Sequence, residues 1–92
     1  MKTIWKFSLS HLERNEIKVP RGSKLLSVQV QCGRLFVWVL VGEKEASKCD
    51  YRTKVVSVYG TGFDVPDDPG RFVGTIVDGE FVWHVFEKGD ND

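Results

Sequence analysis

The chain has 92 residues, of which 41% are hydrophobic and 12% are aromatic, which is the composition of one folded domain rather than of a disordered segment. Its formal net charge at pH 7 is zero. A neutral balance argues against a dedicated DNA-binding protein, which needs a basic face to displace counterions, so we do not expect nucleic acid as a partner. The longest apolar run, residues 35–41, is too short to span a bilayer as a helix, so we expect no membrane partner either.

The first ten residues, MKTIWKFSLS, lack the long apolar segment of a signal peptide. We therefore expect a cytoplasmic protein whose two cysteines, Cys32 and Cys49, stay reduced. The two have no CxxC spacing, and a disulfide between them is the alternative.

Charge is unevenly distributed along the chain. Residues 1–60 carry eleven Lys or Arg against five acidic residues, and residues 61–92 carry two against eight. Such an asymmetry can mark a nucleic-acid-binding region followed by an acidic tail. We expect instead that strands from both halves interleave, so that the two signs mix on one surface.

The first predicted strand is TIWKFSL, residues 3–9, in which Trp5, Phe7 and Leu9 fall on one face and polar residues lie between them. NEIKVP, residues 15–20, is a second, short strand that ends at its proline.

LLSVQVQC, residues 25–32, alternates in the same way and predicts that Leu26, Val28 and Val30 point inward. Cys32-Gly33 then predicts a tight hairpin turn, because glycine accepts a positive φ.

Two segments are apolar on both faces, residues 35–41 and residues 81–86. Such a strand needs cover on both sides. The sheet must therefore curl into a barrel or sandwich, or a second subunit must cover one face, and we expect a homodimer or higher oligomer. The polar segment 42–50 is predicted to be a loop or a single helical turn.

The remaining predicted strands are residues 51–60, 71–77 and 80–86, with Asp78-Gly79 as the hairpin turn between the last two. Six or seven short strands separated by turn signals predict an all-β protein, a small antiparallel barrel-like or sandwich sheet with little or no helix. We assign residues 1–88 to a single domain and residues 89–92 to an acidic, frayed tail.

The stretch YGTGFDVPDDPGRFVGT, residues 59–75, breaks the strand pattern with four glycines, two prolines and three aspartates. Long but stiff loops tend to carry function, and a glycine-rich backbone can turn its N–H groups toward a phosphate. No helix follows this loop as in phosphate-binding loops, so a plain connection between strands is the alternative. If the loop binds the phosphate and the nucleobase of a nucleotide-like ligand, its candidate ligand-binding residues are Tyr59, Gly60, Thr61, Gly62, Phe63 and Arg71.

Other chemistry has less support in the sequence. The aspartates of this loop, Asp64, Asp67 and Asp68, lack the regular spacing of a calcium loop, so we predict no metal site. No recognisable spacing links the residues that could act as a base or a nucleophile, which are His11, His84, Cys32 and Cys49. We therefore predict no catalytic residue, no cofactor and no enzymatic activity, and we expect His84 to be packed or hydrogen-bonded in its strand.

Several landmarks occur in an order that resembles a known family: MKTIWKF at the start, LLSVQVQ in the middle, GTG followed by PGRFVGT, and VWHVFE near the end. Between Lys2 and Glu87 the chain is similar to a family of small, uncharacterised bacteriophage and prophage proteins. No activity carries over from that family. The resemblance implies a setting, because small phage proteins often act on host machinery by blocking a protein or by sequestering a small signalling molecule.

In that setting our first expectation is a binder without enzymatic activity in the host cytoplasm. It would sequester a nucleotide-derived host signalling molecule in a pocket at a subunit junction and so counteract host defence. The alternative is an inhibitor that docks on a host protein through a strand edge or an apolar patch.

Overall fold

The computed structural model describes residues 1–10, 14–42 and 50–89, and their regular secondary structure is β-strand throughout. Seven strands follow one another along the chain: β1 (Thr3–Leu9), β2 (Arg14–Pro20), β3 (Lys24–Gln31), β4 (Arg34–Val41), β5 (Tyr51–Gly60), β6 (Arg71–Asp78) and β7 (Phe81–Gly89). The all-β prediction is confirmed. The predicted strand bounds differ from these by at most one residue, except that β7 extends three residues further.

Some predictions fall on parts of the chain outside the described residues. These are the roles considered for His11 and Cys49, the loop or helical turn over residues 43–49, and the tail residues 90–92. Within the described ranges, no helix is long and apolar enough to cross a membrane.

The strands form two sheets in which every hydrogen-bonded pair of neighbours is antiparallel. Sheet 1 has the strand order β1-β4-β3, and sheet 2 has the order β2-β5-β7-β6. The sheets pack face to face around one apolar core and do not close into a barrel, so the architecture is a sandwich.

The inner face of β4 supplies a continuous stripe of this core. Leu35, Val37, Val39 and Val41 are all fully buried, and burial of each such side chain contributes about 1.5–3 kcal/mol. The buried residues that sheet 2 contributes to the same core are Ile17, Val19, Val56, Val58, Ile76 and Val85.

The two segments that are apolar on both faces occupy central strands, β4 in sheet 1 and β7 in sheet 2. The sandwich covers their inner faces. On the outer face of β4, Phe36 and Trp38 are half-buried, and the Lys6 ammonium lies 4.5 Å and 5.5 Å from the centroids of their rings. Cover by a second subunit stays a prediction.

The prediction that Leu26 points inward is wrong. Leu26 is 43% exposed, whereas Leu25 is 2% exposed and belongs to the core. The pairing of β3 with β4 shifts register between Leu25 and Ser27. A bulge of this kind adds one residue to a strand, so the alternation counted from Val28 does not continue back through Leu26.

The hairpin turns follow from the residues that accept a positive φ. Cys32-Gly33 is confirmed as a tight turn, with φ values of 52° and 76°, as a type I′ turn requires. The last turn lies one residue later than predicted, because Asp78 still pairs with Phe81 and the turn is formed by Gly79-Glu80. Gly79 has a φ of 63° and therefore takes the first position of the turn, which leaves Asp78 in the strand.

Strands of the two halves meet in sheet 2, where β2 and β5 from residues 1–60 lie in one sheet with β6 and β7 from residues 61–92. Sheet 1 contains only strands from residues 3–41, and every described strand after residue 50 lies in sheet 2. The two halves therefore share sheet 2, as predicted, but the prediction is wrong for sheet 1. Within β1, β3 and β4 there is no Asp or Glu, so the basic surplus of the first half is not neutralised there.

Candidate functional site

Residues 61–70 form a connection that crosses the outer face of sheet 2. β5 and β6 both run antiparallel to β7, so they are parallel to each other on either side of it. The chain leaves β5 opposite Trp83 and must return to the level of Glu87 before β6 begins. Contacts of Thr61 with His84 and of Asp68 with Lys88 place this crossing on the face opposite the core. The crossing explains why so many turn-forming residues interrupt the strand pattern.

The first turn of this connection uses its own amide groups. The Thr61 N–H donates to the carbonyl oxygen of Val82 at 3.1 Å, and the Phe63 N–H donates to that of Gly60 at 3.0 Å. Gly62 has a φ of 89°, which lets the chain reverse. An anion in this turn would therefore lack two of the amide donors that a phosphate-binding backbone provides.

An open groove lies where this turn meets the β6–β7 hairpin. It encloses about 370 Å³ and is lined by Gly60, Thr61, Phe63, Glu80, Phe81, Val82 and Trp83. We call it the aromatic groove. The rings of Phe81 and Trp83 stack with centroids 5.9 Å apart and planes inclined by 19°. Gly60 lets the rings approach the backbone closely, because a Cβ at this position would lie 3.2 Å from the Trp83 ring and 3.3 Å from the Phe63 ring and would have to displace one of them slightly.

The electrostatics of the aromatic groove are acidic. Glu80 is the one charged residue among its lining residues in the described part of the chain. Asp64 directly follows Phe63, and Asp78 directly precedes the hairpin turn. The groove is therefore suited to an apolar group that is neutral or accompanied by positive charge.

The structure brings some of the predicted ligand-binding residues together and separates others. Gly60, Thr61 and Phe63 line the aromatic groove, and Gly62 forms the turn beside it. Tyr59 points to the outer face, where it is buried and packs edge-on against Phe86 with ring centroids 6.0 Å apart.

Arg71 lies at the other end of the crossing connection. Its Nε donates to Glu87 Oε1 at 2.8 Å, and its Nη2 donates to the same oxygen. The Nη2 also donates to the carbonyl oxygen of Leu25 at 3.4 Å. Glu87 also pairs with Lys54, with 3.8 Å between Nζ and Oε2. The guanidinium therefore joins sheet 2 to sheet 1 and does not face the aromatic groove.

Sequence reasoning missed Glu80, Phe81 and Trp83 as groove residues. The alternation placed Phe81 and Trp83 on one face and therefore suggested core, which fits Trp83, partly buried against the core, but not Phe81, which is 64% exposed. A signal was available in the hairpin turn at Gly79, because residues that follow a tight turn at the end of a sandwich reach past its core.

His84 is held between two threonine hydroxyls on the outer face of sheet 2. Its Nε2 lies 2.7 Å from Thr61 Oγ1, and its Nδ1 lies 3.1 Å from Thr75 Oγ1. A neutral imidazole has one donor and one acceptor nitrogen, so the tautomer of His84 decides which threonine hydroxyl donates and which accepts. The prediction that His84 is hydrogen-bonded in its strand is confirmed. The row ties the start of the crossing connection to β6 and β7.

The remaining sequence candidates are dispersed. Cys32 has a free thiol and is exposed in the β3–β4 turn. Asp64, Asp67 and Asp68 are all exposed. Among the residues that the structure describes, no group of three or more His, Cys, Asp or Glu side chains is placed to hold a metal ion.

Comparison with curated proteins and with solved structures finds no match to this chain. A family described as a domain of unknown function, DUF7352, matches over residues 1–92. Because this match spans the entire sequence, the chain belongs to the DUF7352 family.

Proposed function

We propose that this protein is a binding protein without enzymatic activity, and that the aromatic groove receives an apolar side chain of a partner protein. The observation that carries the proposal is the exposure of Phe63 and Phe81, which are 68% and 64% exposed at one groove. Large apolar side chains gathered in one concave, exposed site are typical of interaction surfaces. Aromatic side chains also dominate the energetics of protein interfaces.

The charge around the aromatic groove restricts the partner further. Glu80 lines the groove, and Asp64 lies beside Phe63 in the sequence. Complementary potentials steer association and disfavour wrong partners. The docking element of the partner therefore carries a Lys or Arg next to its apolar anchor.

The resemblance to bacteriophage and prophage proteins supports a bacterial host protein as this partner and the host cytoplasm as the place of encounter. In that setting the docking blocks the surface of the host protein that it occupies.

A nucleotide-derived small molecule is the second candidate occupant of the groove. The observation in its favour is the stacked pair of Phe81 and Trp83, which offers a flat surface to a base. Arg71 is already bonded to Glu87, and the lining residues of the described groove include no cation. The base, rather than the phosphates, would therefore supply most of the binding energy.

The test compares the double variant Phe63→Ser/Phe81→Ser with the control Tyr51→Ser. Tyr51 is 47% exposed and begins β5, about 30 Å along that strand from Gly60. A host protein that co-purifies with the wild-type chain in stoichiometric amount is identified and purified. Its affinity for the wild-type chain, the double variant and the control is then measured by calorimetry. We expect a negative heat-capacity change and a loss of affinity of about 30-fold or more in the double variant, with the control unchanged. Equal affinity in all three proteins would refute docking in the groove.

Thermal melting with a nucleotide panel at millimolar concentration separates the two occupants. A rise in melting temperature that Phe81→Ser abolishes favours the small molecule. No rise, together with a protein partner that the double variant loses, favours the docking element.

A further inference from the structure

We propose that the outer face of sheet 1 binds single-stranded nucleic acid. This surface, which we call the basic-aromatic face, combines two aromatic side chains with three cationic side chains and four uncharged polar ones. Its residues are Lys6, Ser8, Lys24, Ser27, Gln29, Gln31, Arg34, Phe36 and Trp38. It lies on the opposite side of the sandwich from the outer face of sheet 2.

The strand register places these residues on one face. Trp38 pairs with Lys6 on one side and with Ser27 on the other, and Phe36 pairs with Ser8 and Gln29. Direct partners in antiparallel strands point to the same side of a sheet. The residues that alternate with Phe36 and Trp38 along β4 are fully buried, so this whole set faces outward.

All three cations of sheet 1 belong to this face. Lys6 is level with Trp38, Lys24 pairs with Leu40, and Arg34 pairs with Gln31. The three strands contain no acidic residue. The neutral net charge of the chain conceals this positive face, because the acidic surplus lies in residues 61–92 and therefore outside sheet 1.

The spacing of the aromatic rings suits unpaired bases. Phe36 and Trp38 are two residues apart on one strand, which separates them by about 6.8 Å. That is twice the rise of about 3.4 Å between stacked bases of one strand, so successive bases of an extended strand can each reach a ring. Gln29 and Gln31 add amide donors and acceptors beside the rings.

Lys6 is in position to exchange its present contacts for a phosphate. Its ammonium lies over the rings of Phe36 and Trp38 and 3.4 Å from Gln31 Oε1. The cation–π contact of an exposed lysine contributes only about 0.5–1 kcal/mol. A phosphate can therefore draw the ammonium away and uncover both rings for stacking.

Charge and shape select this occupant over others. Two copies of the chain packed through this face would bring together two surfaces that each carry Lys6, Lys24 and Arg34, and β1, β3 and β4 contain no acidic residue to compensate. Reading the grooves of a duplex requires a helix or ribbon that enters them, whereas this is the flat side of a three-stranded sheet.

The test is fluorescence anisotropy with labelled DNA and RNA single strands of about 12 nucleotides and with a DNA duplex of the same sequence. We expect binding of a single strand at 50 mM salt, with a slope of log K against log salt concentration near −2, because about three phosphates are contacted. The duplex should bind more weakly. Failure of both single strands to bind at 50 mM salt, or equal binding of the duplex, overturns the proposal.

Matched variants place the binding on this face. Arg34→Gln should make the salt slope less steep by about 0.7, and Trp38→Leu, which keeps an apolar cover, should weaken binding by about 5- to 150-fold. Lys18→Gln removes an exposed cation of sheet 2 and should leave binding unchanged. An equal effect of Lys18→Gln and Arg34→Gln overturns the proposal. The proposal is also overturned if sedimentation shows a dimer that Trp38→Leu dissociates. It is likewise overturned if the protein binds anionic phospholipid vesicles but neither single-stranded oligonucleotide.

Discussion

Replacing Glu87 by glutamine tests whether the charge cluster at one end of the core stabilises the sandwich. The Glu87 side chain is 9% exposed and the Lys54 side chain 11% exposed, whereas the Arg71 side chain is 55% exposed. Glutamine keeps the size of the side chain and one oxygen acceptor for Arg71, but it removes the negative charge. The nearly buried Lys54 then loses the carboxylate that lies 3.8 Å from its ammonium.

The magnitude follows from this geometry. Two unit charges at 3.8 Å attract by about 4 kcal/mol at an effective dielectric constant of about 20. The pairing with Arg71 adds about 1 kcal/mol or less, because water screens the exposed guanidinium. Glutamine is cheaper to bury than a carboxylate, which offsets part of the loss. We therefore expect Glu87→Gln to lower the free energy of unfolding by about 3 kcal/mol, and to lower the melting temperature by about 12–24 °C.

Urea denaturation measures this change, and Glu16→Gln is its control. Glu16 also pairs with an arginine, since its Oε2 lies 2.8 Å from Arg14 Nη2, but both side chains are more than half exposed. Such a surface pair contributes about 1 kcal/mol at most. If Glu87→Gln costs no more than Glu16→Gln, then the cluster is screened by solvent and the reasoning above is refuted.

Two further predictions concern the bulge and the crossing connection, both measured by urea denaturation. Leu25→Ala should cost about 2–5 kcal/mol because it leaves a cavity in the core, whereas Leu26→Ala should change stability by about 0.5 kcal/mol or less; similar costs would contradict the bulge. Gly70→Ala should cost more than Gly62→Ala. Both glycines have a positive φ, 102° and 89°, but a Cβ on Gly70 would collide with the backbone carbonyl of Glu87 while that of Gly62 meets open space. Equal costs would show that backbone strain alone decides.

The strands could be predicted from the sequence, but their arrangement could not. Alternation of apolar residues is a local signal, and it located β1 and β5 to the residue. Which strands become neighbours depends on pairings distant in the sequence, so the sequence did not show that β5 and β6 flank β7. That arrangement sends residues 61–70 across sheet 2 and sets Arg71 opposite Glu87.

The candidate site was partly predictable for the same reason. Glycine and aromatic content pointed to residues 60–63, because these features are visible in one short stretch. Phe81 and Trp83 complete the aromatic groove only because the pairing of β5 with β7 sets Gly60 opposite Trp83. The charge expectation failed for one sheet in the same way, because the sequence did not show that β1, β3 and β4, whose only charged residues are Lys6, Lys24 and Arg34, would form a sheet of their own.

The two outer faces are apolar at their central strands, but they are covered by different means. On sheet 2 the backbone connection 61–70 crosses the face, and the row of Thr61, His84 and Thr75 anchors its start. On sheet 1 the rings of β4 are covered in part by the flexible side chain of Lys6. A competing anion can displace a lysine side chain, whereas displacing a hydrogen-bonded backbone segment requires local unfolding. Of the two faces, the one on sheet 1 is therefore the one that a ligand can uncover without disturbing the fold.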